Sequence, residues 1–259
     1  MRFTTCAKLA AAIVVLTACS TPQSADRENA TTNTPGQESL PDRSTLSHRW
    51  FAPRHVDLDA PAVQVARAYR ESDNLYRSTG DLRAAHPGFH GLFRRGLDAH
   101  TTPYRRTGTI DDHILDVRSI TDRRDRTVTR VVICEDRTGI AEPTGDMWTV
   151  RETGSGPIVL VVERVGDTRE PASLDPAARV SSPAWNVFDG WKVEDNLGAT
   201  DATREFFSRD DPEDTHLENL CLFEQPRLRP DVQPGDVLTT APVVEVPVPG
   251  WPTEIRAPG

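Results

Sequence analysis

The spacing of apolar residues changes period once along this chain, and that change constrains the fold more than any motif does. Ala62, Val65, Ala66, Tyr69, Leu75 and Tyr76 recur at helical intervals and fall on one helix face. Asp59-Ala60-Pro61 precedes them, placing proline in the first turn, where its missing N–H costs nothing. A helix over about 60–77 follows. From Thr107 the period drops to two: Ile110, Asp112, Ile114, Asp116 and Arg118 alternate apolar and polar, and Val128 to Cys134 form a second β-rich run. The charged cluster at 121–126 lies where a hairpin tip belongs. A short second helix is expected around Gly91–Leu97, and further strands at Met147–Arg151, Ile158–Val165 and Trp185–Val193, with Thr153–Pro157 as a turn and 167–183 as a long loop. Helices first and an antiparallel meander afterwards predict an α+β domain, its helices packed on one face of the sheet.

The ends of the chain have a different character. Arg2 and Lys8 precede the apolar run Leu9–Leu16, which stops at Thr17-Ala18-Cys19. That run is about half the ~20 residues a helix needs to cross a bilayer, so it reads as a signal peptide over 1–18 rather than a span. Leu16-Thr17-Ala18-Cys19 resembles the bacterial lipobox, which implies cleavage before Cys19 and lipid on its thiol, holding the mature chain on the extracytoplasmic face of the cell membrane. One acyl chain anchors only marginally, at about 0.8 kcal/mol per buried CH₂, so two or more are needed for durable retention. Residues 19–48 are almost without apolar side chains and read as a tether. At ~28 flexible residues it spans roughly 30 Å. One domain over 49–225 follows, then a Pro-rich tail over 226–259, expected to be mostly extended and disordered, although Val243–Val246 has the composition to join a sheet edge or wrap the domain.

The formal charge is −9 and becomes more negative by two once Arg2 and Lys8 are removed. Such a surface excludes nucleic acid as a partner. With Cys6 in the cleaved segment and Cys19 lipidated, Cys134 and Cys221 remain, and two thiols in an exported domain most economically form a disulfide. The alternative is a pair of buried free thiols; a redox dithiol has no CxxC to support it.

The order of elements resembles the NTF2-like (cystatin-like) roll, the superfamily of ketosteroid isomerase and the SnoaL cyclases, and more narrowly the actinobacterial-type lipoproteins built on it. The features that carry the resemblance are Ala66-Arg67-Ala68-Tyr69 on the helix, Gly108-Thr109-Ile110 leading to Ile114, Val131-Val132-Ile133-Cys134-Glu135-Asp136, Ile158–Glu163, and Trp185 with Trp191-Lys192-Val193. They cover about residues 57–196. The resemblance implies a curved sheet and helices enclosing a conical cavity, but no acid of this chain matches a catalytic position of the family, so no catalytic residue is assigned.

Other candidate motifs read as structure. His86, His90, His100 and His113 lack a ligating pattern, since Pro87-Gly88 breaks the helix that would align the first two, and they read as solvated or packing histidines with no metal. Asp210-Asp211-Pro212-Glu213-Asp214 lacks the alternating ligands of a calcium loop. Trp148, Trp185 and Trp191 read as core or wall packing, and Gly154-Ser155-Gly156 as a hairpin turn. No cofactor is implied. The expectation is therefore a lipid-anchored, noncatalytic binding or assembly module of the cell envelope, its partner another envelope protein or an apolar small molecule. The competing expectation is a small-molecule enzyme of the isomerase, cyclase or dehydratase kind working in the roll's cavity.

Overall fold

The computed structural model describes residues 46–92, 105–121, 125–150, 155–166, 174–195, 221 and 228–254. The chain divides into two compact units, Met1–Glu38 and Ser39–Gly259. The first, with Cys19 and the expected signal peptide, lies outside the described residues, as do Gly154, His100 and the acidic run at 210–214.

The second unit is mixed α+β, with a large, mainly antiparallel sheet and few helices. Helix α1 (Pro61–Thr79) carries proline in its first turn and ends on Gly80, whose left-handed φ of 68° lets its N–H reach the Tyr76 carbonyl at 2.7 Å. Around it lie β1 (Leu46–Phe51), β2 (Thr107–Thr121), β3 (Thr127–Asp136), β4 (Ile140–Thr144), β5 (Met147–Thr149), β6 (Ser155–Arg164) and β8 (Trp191–Asp195). A short helix α2 (Phe89–Leu92) follows α1, β7 (Leu174–Val180) lies between β6 and β8, and β9 (Val237–Leu238) and β10 (Trp251–Glu254) come last. The main sheet runs β8-β6-β3-β2-β4-β5-β9, and β1 adds to β2 in parallel. Strand β2 runs on from its expected hairpin with β3, and β4 takes over its pairing at Thr107 and Gly108 where β3 leaves off.

Several boundaries differ from the sequence reading. The tether expected to reach residue 48 gives way to β1 at Leu46, because Leu46, His48 and Trp50 alternate into the core while Ser47, Arg49 and Phe51 take the other face, opposite Thr109, Asp111 and His113. The long loop expected over 167–183 contains β7, which pairs with β10. The turn expected at 153–157 gives up Ser155–Pro157 to β6, opposite Asp136, Glu135 and Cys134. The strand expected over Trp185–Val193 begins only at Trp191, and Trp185 packs edge-on against Trp251 at 6.3 Å.

The core joins Val63, Val65, Ala66 and Tyr69 of α1 to Ile114, Val131, Ile133, Leu160 and Val162 of the sheet, with Trp251 fully buried among them. Trp251 enters from the Pro-rich tail, which runs extended over β1: Trp50 N–H donates to Val248 at 2.6 Å, Glu245 N–H to Thr109 Oγ1 at 2.9 Å, and Arg49 pairs with Glu245 at 2.7 Å. Cys134 and Cys221 form the expected disulfide, with Cα atoms 5.4 Å apart. α1 is buried on its polar side as well, since Arg67, Arg70, Glu71, Asp73 and Asn74 all lie inside. The site arises there.

Candidate functional site

Glu71 is the centre of a buried polar cluster that no spacing motif announces. Its Oε1 accepts from Trp50 Nε1 at 2.8 Å, and its Oε2 from Trp251 Nε1 at 3.0 Å. His86 Nε2 lies 2.6 Å from the same Oε2, and His86 Nδ1 lies 3.0 Å from Ser182 Oγ. Burial opposes ionisation of Glu71, but the hydrogen bond and charge of His86, with His48 and Arg67 nearby, outweigh it and hold the carboxyl down to about 2. An ionised Glu71 only accepts, so His86 Nε2 carries the hydrogen of their bond.

Each partner is fixed by its own element. α1 presents Glu71 one turn from Arg67 and one turn from Leu75. Arg67, fully buried, lies 4.6 Å from the Trp251 ring centroid and 5.7 Å from that of Trp50, and donates to the carbonyls of Pro249 at 2.8 Å and Leu58 at 3.2 Å. His86 follows the 3₁₀ turn at Leu82–Ala84; its N–H donates to Ser72 Oγ at 3.0 Å. The chain then turns at Gly88 with φ +87°, where an added Cβ would fall 1.8 Å from Asn186 Oδ1. Ser182 comes two residues after Val180, whose pairing with Trp251 delivers it beside His86.

A second pair stands next to this line. His48 Nδ1 is 2.6 Å from Asp112 Oδ2, with both side chains buried. Burial raises Asp112 to about 6 against the pull of His48. Burial lowers His48, but Asp112 outweighs it and the ring is raised overall. Both shifts belong to one hydrogen-bonded pair that shares a proton. Among the described residues, His48 Nε2 has no hydrogen-bond partner.

His48, Glu71, His86 and Ser182 share the wall of one cavity of about 460 Å³. Leu46, Leu75, Val244 and Pro247 supply its apolar surface, the last two from the tail. This size is within the range of small-molecule sites, and the mixture of apolar wall and a few convergent polar groups is what such sites require.

Of the residues singled out in the sequence, Cys134 and Cys221 are bridged but are not part of this wall. His86, expected to be solvated or packing, belongs to it. His113 stacks on Phe51 at 4.8 Å on the opposite face of β1 and β2, where burial lowers its pKa, and His90 is exposed. Trp148 lines a separate hollow with Arg105 and Arg106. No group of three metal-ligating side chains occurs among the described residues. His48, Glu71 and Ser182 were missed. The alternation Leu46-His48-Trp50 was the available signal for the first, and the place of Glu71 midway between Arg67 and Leu75 was the only one for the second.

Fold and site thus define a mixed α+β domain with a histidine- and carboxylate-lined cavity. No protein-family model, curated protein or solved structure matches the chain.

Proposed function

We propose that the protein is an exported lipoprotein, anchored through Cys19 at the extracytoplasmic face of the cell membrane, whose soluble domain binds a small, partly apolar molecule. The observation that carries this reading is the cavity itself: apolar side chains from β1, α1 and the tail line it beside a small set of oriented polar groups, Glu71, His86 and Ser182. The lipobox-like Leu16-Thr17-Ala18-Cys19 supports the anchor, and the described residues include no helix long and apolar enough to cross a membrane. One long helix packed on a meander ordered β2-β3-β6-β8 supports reading the domain as a variant of the NTF2-like roll. The test is native mass spectrometry of the full protein extracted from membranes. A co-purifying small molecule, lost in Leu75→Trp, is expected; an empty protein that also fails to bind an apolar fluorophore such as N-phenylnaphthylamine overturns the reading.

The enzymatic reading is favoured by one specific observation, the alignment of Glu71, His86 and Ser182 along a single wall.

A further inference from the structure

Ser182 Oγ, His86 and Glu71 form a continuous hydrogen-bonded line at 3.0 and 2.6 Å, ending in a carboxylate that two buried indole N–H groups hold in place. In acyl-transfer chemistry a hydroxyl becomes a nucleophile when an oriented imidazole takes its proton and a buried carboxylate fixes the imidazole's tautomer. All three conditions are met by residues from three separate segments of this chain. The ring nitrogens are used with Nδ1 toward the hydroxyl and Nε2 toward the acid, which leaves the proton-transfer logic unchanged. His86 is further constrained by its N–H to Ser72 and by edge-on contact with Trp251 at 5.5 Å. A purely packing histidine does not need its second ring nitrogen against the hydroxyl of a serine on a cavity wall.

We propose that the cavity is an esterase site for small apolar acyl esters, in which Ser182 is the nucleophile, His86 its general base and Glu71 the positioning acid. The proposal rests on the small-molecule cavity described above. Ser182 Oγ bonds to the ester carbonyl carbon as its proton passes to His86 Nδ1. The bond from that carbon to the alkoxy oxygen then breaks, and the departing oxygen takes the proton and leaves as the alcohol. Water completes the cycle: its oxygen bonds to the acyl carbon, one proton moves through Nδ1 to Ser182 Oγ as the acyl–Oγ bond breaks, and a carboxylic acid is released. Leu46, Leu75, Val244 and Pro247 suit an apolar acyl chain.

The full-length protein in detergent would be treated with a fluorophosphonate and its mass measured, with p-nitrophenyl butyrate hydrolysis and N-phenylnaphthylamine binding followed in parallel. One phosphonyl group on Ser182 is expected, absent in Ser182→Ala and retained in Ser181→Ala, with hydrolysis lowered about 10³-fold in Ser182→Ala while fluorophore binding persists. Glu71→Gln is expected to lower kcat with KM unchanged, a split that a merely structural role would not give. Fluorophore binding without modification of Ser182, or modification that survives Ser182→Ala, overturns the esterase and leaves the binding cavity standing. Neither binding nor modification in the folded protein overturns both.

Discussion

Two of the buried carboxylates at α1, Glu71 on the helix and Glu135 packed against it, have surroundings that could hardly differ more. Glu135 on β3 pairs with Arg70, is reached by Arg137 at 2.5 Å and receives Asn74 Nδ2 at 3.4 Å. Burial works against its charge, but the two guanidinium groups hold it well below the usual carboxylate range. Glu71 instead meets one imidazole and two indoles and shares a wall with a cavity. Arginine keeps its proton at any accessible pH, so the Glu135 cluster is a lock between helix and sheet. Histidine exchanges its proton, so the Glu71 cluster has the chemistry to work.

The contrast is breakable. Removing one partner of a buried ion pair strands the other, so Glu135→Ala is expected to cost up to about 5 kcal/mol in urea unfolding without changing ligand binding by the residual folded protein. Breaking the Cys134–Cys221 bridge, next to Glu135, by the double alanine variant is expected to cost about 4 kcal/mol by loop entropy over its separation of 87 residues.

Acid sensitivity sharpens the comparison. A carboxyl at about 2 in the folded chain and 4.5 unfolded contributes stability that is complete above 4.5 and disappears as pH falls through 2. Glu71 should therefore contribute about 3 kcal/mol that acid removes, and Glu71→Gln should flatten that limb of the stability curve. Asp112 acts in the opposite sense and in another window: raised to about 6 from 3.8, it favours the fold most below 3.8 and gives up that contribution as pH rises through 6. Trp251→Phe removes the indole N–H donor to Glu71 together with part of the buried ring packed under Arg67, and should lose about 2–3 kcal/mol.

What the sequence disclosed was what short-range pattern encodes. The period of two predicted β2 and β3, the proline and apolar face predicted α1, and the cysteine arithmetic predicted the disulfide. The site escaped because it is assembled from long separations: β1 supplies His48, α1 Glu71, the turn after it His86, and the segment after β7 Ser182. A polar residue on a helix reads as solvent-facing until something covers it. Here the covering element is the Pro-rich tail, whose composition suggested disorder while Trp251 and the carbonyls of Val248 and Pro249 tie it down. β7 was read as loop for a related reason, since its partner β10 lies at the far end of the chain.

The tautomer of His86 is the most direct measure of whether the Glu71 cluster is built for proton transfer. Long-range ¹H–¹⁵N correlation of the imidazole in the full-length protein is expected to show a ring with hydrogen on Nε2 and none on Nδ1. A ring protonated on Nδ1 and donating to Ser182 would contradict the account, because Glu71 would then not be orienting the histidine and the serine would have no base.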